Sequence, residues 1–244
     1  MRRMFALVVF ALTGFTAAVT AGEEPQIEKL ITARLAEVVP DMKVNGVRPA
    51  PVPGWYEVLL GAKLVYVSAD ARYVLEGTLM DLKEQKDLTQ EPAMAARAAA
   101  LKQMALDQKV IEFAPAGEAA HVIYVFTDTD CSYCRRMHSE VSRLNAAGIS
   151  VRYLAFPRDG IGSPTYEQMV SVWCAKDPKQ ALTDAKAGKK LMPAKCDNPV
   201  KEEFELGTTM NVRGTPTTIL ENGQEAGGYI PADALISFFK RGAS

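Results

Sequence analysis

The sequence predicts an α+β protein with a small mixed domain, one connecting helix and a larger α/β domain. Three observations divide the 244 residues in this way. A helical pattern followed by three β-rich runs fills residues 25–82, an alanine-rich helical segment occupies residues 90–106, and strand and helix patterns alternate from about residue 108. Such alternation is typical of a largely parallel sheet covered by helices. With 48% hydrophobic and 23% charged residues, the chain has the composition of a globular protein that can bury a core.

The composition also excludes several classes of function. Lys plus Arg number 28 and Asp plus Glu number 29, so no basic excess exists to neutralise phosphates, and nucleic-acid binding is not expected. Abundant apolar residues and a net charge of -1 exclude disorder over most of the length. Two histidines cannot form a multi-histidine metal centre, and no metal or organic cofactor is expected.

Residues 1–21 have the three-part pattern of a secretory signal peptide. A basic start, Met1-Arg2-Arg3, precedes nine consecutive apolar residues, and the small residues at Val19-Thr20-Ala21 suit a signal peptidase. The apolar stretch is shorter than the roughly 20 residues of a membrane-spanning helix, and an uncleaved anchor is the alternative. We expect cleavage after Ala21 and export into an oxidising compartment, which is the periplasm if the source is a Gram-negative bacterium.

The first domain, residues 22–84, is predicted to contain one amphipathic helix and three strands. Apolar residues recur at helical spacing through residues 25–37, and Pro40 ends that pattern. The three prolines and two glycines of residues 46–54 indicate a turn-rich connection. The strands are expected at residues 55–60, 64–68 and 73–82.

The last of these strands is a candidate dimer interface. It is long and apolar on one side, with Leu75 and Leu79 flanking Gly77. At the edge of a sheet such a strand would pair with another chain, and a glycine in mid-strand lets a second backbone approach closely. An ordinary internal strand accounts for the pattern equally well. A domain of about 60 residues has a marginal core when alone.

Residues 85–107 are predicted to form a linker helix. Thr89 is expected to cap a helix that begins at Gln90, and residues 93–106 are dominated by strong helix formers. Large apolar residues are few and form one narrow stripe, which suits a spacer between two domains. A helix packed on the surface of the second domain is the alternative.

The second domain, residues 108–244, is predicted to contain a β-α-β unit. Its buried strands are expected at residues 122–126 and 151–156, with a helix between them at 132–147. Helical patterns interrupted at Pro178 and Pro193 fill residues 164–208. The remaining elements are a strand at 110–113, two strands at 217–221 and 225–229 around the turn Asn222-Gly223, and a final helix at 232–241.

The chemistry is predicted at Cys131-Ser132-Tyr133-Cys134, where a buried strand is followed by a helix. A thiolate at a helix amino terminus meets unpaired backbone N–H groups and the positive end of the helix dipole, which lower the pKa of the thiol. Cys131 is therefore the expected nucleophile, exposed at the helix tip. Cys134 is expected to be more buried and close enough to form a disulfide with Cys131 or to displace a substrate from it.

A zinc site and a structural disulfide are less well supported as roles for this cysteine pair. A structural zinc site needs four ligands, and His138 on the same helix face brings the number to three at most. Cys174 and Cys196 are 22 residues apart and do not form a second Cys-x-x-Cys pair. A purely structural disulfide is not expected at a strand-to-helix turn. In this context the motif is a strong signal of redox chemistry.

Four segments together resemble one protein family. Residues 121–134 read HVIYVFTDTDCSYC, and they are followed by VRYLAFPR at 151–158, WCAKD at 173–177 and GTP at 214–216. In this order the segments resemble the thioredoxin-like domain of the bacterial periplasmic disulfide isomerases, the DsbC/DsbG family. The resemblance covers essentially the whole mature chain. It implies a V-shaped homodimer, in which cystatin-like amino-terminal domains pair and the two catalytic domains face an apolar cleft that holds misfolded exported proteins.

The resemblance also implies further site residues. The peptide bond between Thr215 and Pro216 is expected to be cis and to lie beside the reactive cysteines, where Thr215 backbone groups are free to pair with a substrate strand. Ser132 and Tyr133, between the two cysteines, complete the expected substrate-binding residues. Ser132 stands where DsbC members of the family usually have glycine, and its hydroxyl either donates to the thiolate or faces water.

A second disulfide is expected between Cys174 and Cys196, in the helical insertion of the second domain. Neither cysteine has the surroundings of a nucleophile. Of the three pairings that four cysteines allow, this one alone leaves Cys131 and Cys134 as a free redox pair.

The expected activity is thiol–disulfide isomerisation. Thioredoxins, which are reductants, carry a buried acid six residues before the first cysteine, and Val125 at that position suits an isomerase or an oxidant. Asp130 disfavours the Cys131 thiolate whereas Arg135 and Arg136 favour it, so the sequence leaves the net sign open. By resemblance, the membrane reductase DsbD restores the dithiol. The alternatives are a DsbG-like reductase of sulfenic acids and a chaperone that acts without the cysteines.

Overall fold

The computed structural model describes residues 24–40 and 42–242. The predicted signal peptide, residues 1–21, lies outside these ranges. Within them, no helix combines the length and the apolar composition that crossing a membrane requires. The described residues form the expected α+β arrangement, a small unit and a larger unit with one main sheet each.

The first unit is a four-stranded antiparallel sheet covered by one helix. Helix α1 (Glu24–Val38) precedes strands β1 (Val44–Pro49), β2 (Trp55–Leu60), β3 (Lys63–Ser68) and β4 (Val74–Leu75), which lie side by side in that order. Ile31 and Leu35 of the helix belong to one buried cluster with Tyr56, Val58 and Val67 of the two central strands. The helix, β2 and β3 are found where the sequence pattern predicts them.

Strand β1 contradicts the prediction of a turn-rich connection over residues 46–54. Its pairing with β2 places Val47 opposite Val58 and Pro49 opposite Tyr56. Proline has no N–H to donate, but an edge strand tolerates it because one side of the strand has no neighbour. The strand forms because β2 supplies a hydrogen-bonding partner, which the local composition does not reveal.

The single long strand predicted over residues 73–82 is also wrong. Only the two residues of β4 pair with β3, and Gly77 lies in an exposed bend rather than in mid-strand. Two short strands follow, β5 (Met80–Asp81) paired with β6 (Lys86–Asp87). The chain leaves the main sheet where the Leu79 N–H donates to the Thr89 hydroxyl at 2.7 Å, which ties this segment to the start of the next helix.

Thr89 is the N-cap residue of helix α2 (Gln90–Leu106), as predicted, but it does not cap the helix with its side chain. The Thr89 side chain makes no cap hydrogen bond. Instead, the Asp87 carboxylate accepts from the Thr89 N–H at 2.8 Å and from the next N–H at 3.1 Å. The Thr89 hydroxyl is bonded to the Tyr66 hydroxyl at 2.7 Å, so it joins the helix to the first sheet.

Helix α2 is packed against the second unit and is not a free spacer. Leu101 is fully buried in a cluster with Tyr124 and Phe126. Nearer the start of the helix, Gly223 (φ +83°) lies so close that a β-carbon there would be 1.9 Å from the Met94 carbonyl oxygen. Both the left-handed backbone and this close approach require glycine at position 223.

The second unit is a five-stranded sheet with helices on both faces. Its strands are β7 (Ile111–Phe113), β8 (His121–Thr127), β9 (Ile149–Ala155), β10 (Thr217–Leu220) and β11 (Glu225–Gly227). Its helices are α3 (Ser132–Ser139), α4 (Val141–Ala146), α5 (Pro164–Trp173), α6 (Pro178–Lys186), α7 (Val200–Thr209) and α8 (Ala232–Lys240). The order across the sheet is β11-β10-β8-β9-β7, with β8 and β9 parallel.

The central strand β8 is buried on both faces, as its continuous apolar sequence predicts. Val125 packs on one face with Met137 of α3 and Leu235 of α8. Phe126 packs on the opposite face with Leu101 of α2. The β8–α3–β9 unit therefore forms as predicted, and it places the end of β8 at the start of α3.

The single helix predicted over residues 132–147 is broken at Glu140 (φ −100°, ψ −1°). The Glu140 carboxylate accepts hydrogen bonds from the Tyr229 hydroxyl at 2.7 Å and from the Ala232 N–H at 2.5 Å. Glu140 therefore satisfies an unpaired N–H at the start of α8. This long-range contact draws Glu140 towards α8 and separates α3 from α4.

The helical insertion between β9 and β10 is closed by a disulfide. Cys174 ends α5 and is bonded to Cys196 in the segment before α7. Pro178 lies in the first turn of α6, whose N-cap Asp177 accepts from the Gln180 N–H at 3.0 Å. Proline is tolerated at the start of this helix because N–H groups of the first turn have no acceptor within the helix, so the N–H that proline lacks is not needed.

Candidate active site

The Cys-x-x-Cys pair lies where β8 ends and α3 begins. Cys131 is the N-cap residue of α3 (φ −94°, ψ 122°), and its sulfur accepts a hydrogen bond from the Cys134 N–H at 3.3 Å. Both thiols are free. The Cys131 sulfur therefore occupies a position where unpaired N–H groups and the helix dipole favour a negative charge.

Cys131 is buried, which corrects the prediction that it is exposed at the helix tip. Cys131 is 3% exposed and Cys134 is 1% exposed. The loop before β10 lies against the reactive sulfur, and the Cys131 thiol donates to the Thr215 carbonyl oxygen at 3.1 Å. The Thr215–Pro216 peptide bond is cis, as the resemblance implies. A substrate sulfur must displace the contact with Thr215 to reach Cys131.

Two acidic and two basic side chains surround the turn that carries Cys131. The buried Asp128 carboxylate accepts from the Arg158 guanidinium at 3.0 Å and from the Asp130 N–H at 2.7 Å. Arg135 binds the exposed Asp130 carboxylate at 2.8 Å. These pairs hold the turn in place. Each of the two carboxylates has a basic partner.

The pKa of Cys131 is lowered. Burial alone raises it, but the Cys134 thiol and N–H, the Thr215 side chain and the positive charge of Arg158 outweigh burial. The sequence leaves open whether the surroundings favour the Cys131 thiol or its thiolate, and the structure shows that they favour the thiolate. Among the charged groups, Arg158, which follows β9, contributes to this lowering.

The pKa of Cys134 is shifted in the opposite direction. Burial raises it, the positive charge of Lys186 opposes this rise, and the Cys131 thiol adds to it. Two adjacent thiols with opposite pKa shifts have different roles, because the thiolate is the attacking species in disulfide exchange. Cys131 is ionised first, and Cys134 keeps its proton.

Ser132 and Tyr133 are exposed in the first turn of α3. In the part of the chain that the structure describes, no residue accepts or donates a hydrogen bond to the Ser132 hydroxyl, so this group faces water rather than the thiolate. Tyr133 is 58% exposed and stacks on Tyr229, with ring centroids 5.9 Å apart. Arg136 lies over the Tyr229 ring at 4.9 Å. The two tyrosines form an aromatic surface next to the cysteine pair.

His138 is a half-buried side chain on α3. Its ring nitrogens are bonded to the Tyr153 hydroxyl at 3.2 Å and to the Thr183 hydroxyl at 3.0 Å. Burial lowers the pKa of His138 to about 4, so the ring is neutral at physiological pH. Among residues 24–40 and 42–242, no three His, Cys, Asp or Glu side chains are grouped so that they could hold a metal ion.

Of the predicted interface residues, Leu75 lies in the outer strand of the first sheet, and Gly77 and Leu79 follow it. Leu75 is 48% exposed, Gly77 is exposed and Leu79 is half-buried. Leu75 and Leu79 line an apolar groove of about 270 Å³ together with Trp55 and Tyr66. Strand β4 is the last strand of that sheet, so its outer side has no neighbouring strand among the described residues.

Sequence reasoning missed four residues that surround the cysteine pair: Thr127, Asp128, Arg158 and Lys186. Asp128 and Arg158 follow the ends of adjacent parallel strands, a placement that the polar run after β8 and the end of β9 could have indicated. Lys186 is 5% exposed and lies four residues after the fully buried Leu182, on the apolar stripe of α6. A lysine at a position of the apolar stripe could have indicated a buried charged group.

The fold and the free cysteine pair define a thioredoxin-like thiol–disulfide oxidoreductase. Two family models match the chain, a thioredoxin-like domain over residues 106–243 and a disulfide bond isomerase protein N-terminal domain over residues 17–90. The chain is 34% identical to the thiol:disulfide interchange protein DsbC of Escherichia coli K12 over 236 residues, which are 96% of this chain and 93% of that protein. It is 36% identical to DsbC of Haemophilus influenzae over 190 residues, which are 78% of this chain and 81% of that protein.

Among solved structures, a disulfide interchange protein from Neisseria gonorrhoeae aligns with a TM-score of 0.48 and 28% identity, over 53% of this chain and 94% of that chain. The sequence relatives and the family models together decide the assignment. The chain belongs to the DsbC family of thiol:disulfide interchange proteins.

Proposed function

We propose that this protein is a thiol–disulfide isomerase that rearranges wrong disulfides in exported proteins. The observation that carries the proposal is the pair of free thiols at the start of α3, with the pKa of Cys131 lowered and the pKa of Cys134 raised. In this arrangement the ionised cysteine attacks a substrate disulfide. The protonated cysteine does not immediately displace the substrate, so the mixed disulfide persists long enough to rearrange. The thiol:disulfide interchange relatives support the same chemistry.

The first step is attack by the Cys131 thiolate on one sulfur of a substrate disulfide. A bond forms between Cys131 and that sulfur, the substrate S–S bond breaks, and the second substrate sulfur leaves as a thiolate. The Cys134 N–H, at 3.3 Å from the Cys131 sulfur, and the Arg158 charge favour the ionised nucleophile before attack.

The second step releases the substrate in one of two ways. Another substrate thiolate attacks the substrate sulfur of the mixed disulfide, forms a new disulfide and returns Cys131 as a thiolate, without net oxidation. When this is slow, the Cys134 thiolate attacks the Cys131 sulfur. The substrate then leaves reduced and the enzyme is oxidised by two electrons per disulfide. The proposed partner that reduces this disulfide again is the membrane reductase DsbD.

The proposed substrate-binding residues are Ser132, Tyr133, Thr215 and Pro216. Tyr133 offers an exposed aromatic ring beside the nucleophile, a contact that does not depend on a particular substrate sequence. The Thr215 carbonyl oxygen lies 3.1 Å from the Cys131 sulfur. An extended substrate that displaces this contact would find the Thr215 backbone available for strand-like pairing.

We further propose that the protein is a periplasmic homodimer joined through its first unit. The short edge strand β4, with the exposed Leu75 and Gly77 and the apolar groove that Leu79 helps to line, supports pairing with a second copy. The match to the isomerase N-terminal domain supports the same assembly. The signal-peptide pattern of residues 1–21 and the Cys174–Cys196 disulfide support export to an oxidising compartment.

Refolding of a scrambled multi-disulfide protein in a glutathione buffer tests the proposed activity. Wild type should restore the activity of the scrambled protein rapidly, and Cys131→Ser should not. Cys134→Ser, which keeps the nucleophile, should retain partial activity and accumulate mixed disulfides because it lacks the resolving thiol. Equal, slow recovery with wild type and Cys131→Ser would contradict the proposal. Reduction of sulfenic-acid proteins and suppression of aggregation would then be the activities to measure.

A further inference from the structure

Lys186 is a buried lysine next to the cysteine pair, and the mechanism above does not use it. It is 5% exposed, at the end of α6, on the side of that helix that packs into the core. Its ammonium donates to the Thr127 hydroxyl at 2.7 Å and lies 5.5 Å from the centre of the Tyr153 ring. No carboxylate in residues 24–40 or 42–242 lies within ion-pair distance of it. A buried lysine without a carboxylate partner is costly, which points to a role for the amine.

Thr127 connects this lysine to the resolving cysteine. Thr127 is the last residue of β8 and is fully buried. The Thr127 side chain and the positive charge of Lys186 both lower the pKa of Cys134, against the effect of burial. A hydroxyl has a single proton to donate. Because the Thr127 oxygen accepts from Lys186, its own proton is free to be directed at the Cys134 sulfur.

The other ionisable groups around Lys186 do not form an ion pair with it. Asp128 is bound to Arg158 at 3.0 Å, and Tyr153 has a pKa raised by burial. His138 is neutral because its pKa is about 4. The remaining charged or titratable groups that act on Lys186 are Cys131, Cys134 and Arg135. Burial lowers the pKa of Lys186 to about 8, so the side chain is still largely a positively charged ammonium at neutral pH.

We propose that Lys186 is a positioning residue for the resolving step and acts on Cys134 through the Thr127 hydroxyl. The Lys186 ammonium donates to the Thr127 oxygen and the Thr127 hydroxyl donates to the Cys134 sulfur, so that Cys134 releases its proton to water more readily. The Cys134 thiolate, now facing the Thr127 hydroxyl and a positive charge, attacks the Cys131 sulfur of the mixed disulfide. The Cys131–Cys134 bond forms, the bond to the substrate breaks, and the substrate sulfur leaves as a thiolate that takes a proton from water.

This inference rests on the proposed thiol–disulfide chemistry and deepens it. In thioredoxins a buried acid lies six residues before the first cysteine, and here that position is the apolar Val125. In this chain the buried titratable group comes instead from α6, on the other side of Cys134. A cation lowers the pKa of Cys134, whereas a carboxylate at the same distance would raise it.

A two-step reaction with 5,5′-dithiobis(2-nitrobenzoate) separates the two cysteines. Attack by Cys131 on this aromatic disulfide releases one nitrothiolate and leaves a mixed disulfide, at a rate proportional to reagent concentration. Attack by Cys134 then releases the second nitrothiolate, at a rate independent of reagent concentration. Stopped-flow absorbance over a pH series measures both phases on the full-length mature protein.

Lys186→Met keeps the length of the side chain and removes its amine. We expect the second phase to slow by about ten- to 100-fold near neutral pH, because the positive charge that favours the Cys134 thiolate is lost. Its pH midpoint should move upward, and the first phase should change by less than about twofold, because Cys131 keeps its own hydrogen bonds and Arg158. The matched control is Lys179→Met, an exposed lysine on the same helix, which should leave both phases unchanged.

Thr127 provides a second, independent pair of variants. Thr127→Val removes the hydroxyl at nearly constant volume and should slow the second phase as Lys186→Met does, whereas Thr127→Ser should retain the wild-type rate. Thermal unfolding confirms that each variant is folded; replacing an unpaired buried charge with an apolar side chain is not expected to destabilise the protein.

The outcomes distinguish the two proposals. An unchanged second phase and pH midpoint in Lys186→Met would overturn the role of Lys186 and leave the proposed function standing. Equal slowing of both phases would mean a structural role and would also overturn the inference. The absence of a first phase in wild type would instead contradict Cys131 as the nucleophile, and with it the proposed function.

Discussion

Reduction of the Cys174–Cys196 bond, the insertion disulfide, should lower the free energy of unfolding of the second unit by about 3 kcal/mol. The two cysteines are 22 residues apart. For a loop of that length the chain-entropy relation gives about 11 cal/mol/K, which corresponds to about 3 kcal/mol at 25 °C. Reduction replaces no residue, so the comparison is free of the packing loss that a substitution of the half-buried Cys174 would add.

The assay needs a protein with a single reducible disulfide and a single tryptophan. The chain contains four cysteines, so Cys131→Ser with Cys134→Ser leaves the insertion disulfide as the only reducible bond. It contains two tryptophans, so Trp55→Phe leaves Trp173 as the only one, directly before Cys174 in the second unit. Urea unfolding followed by tryptophan fluorescence, with and without reductant, gives the difference in stability.

The expected result is a lower unfolding midpoint in reductant, equivalent to about 3 kcal/mol. As a control, reductant should have no effect after the insertion disulfide is itself removed by substitution of both cysteines with serine. A difference below about 1 kcal/mol would refute the loop-closure reasoning. It would mean that packing of α5 and α7 against β9 holds the insertion without help from the covalent bond.

Three further predictions concern charge and packing. Arg158→Met should raise the pKa of Cys131, because a nearby positive charge that favours the thiolate is lost; ultraviolet thiolate absorbance against pH measures this, and an unchanged midpoint would contradict it. Gly207→Ala should destabilise by about 1–3 kcal/mol in urea unfolding, because its β-carbon would lie 2.7 Å from a phenylalanine ring, whereas Gly117→Ala, with nothing within 4 Å, should be nearly neutral. The fully buried Glu203 has a raised pKa, so the native state binds its proton more tightly than the unfolded state does, and stability falls as pH rises above the ordinary value of 4.5. Glu203→Gln should flatten this pH dependence of unfolding, and an unchanged slope would show that other groups cause it.

Much of the candidate site was predictable because its chemistry depends on neighbours in the chain. A continuous apolar run followed directly by Cys-x-x-Cys specifies a buried strand, a turn and a helix, and with them the N-cap position of Cys131. The exposure of Cys131 was wrongly predicted because Thr215, which contacts its sulfur, is 84 residues away in the sequence. The sign of the Cys131 pKa shift was open for the same reason, since Arg158 reaches the site from the turn after β9.

By itself, the sequence determined the α+β class, the β-α-β unit and the family, because periodicity and short motifs are local properties of the chain. Only the tertiary structure decided the edge strand β1, the two-residue β4, the break at Glu140 and the burial of Lys186 beside Thr127. Each of these depends on a hydrogen bond or a packing contact with a residue far away in the sequence. A pattern of apolar residues indicates which face of an element is buried, but it does not indicate which distant residue that face meets.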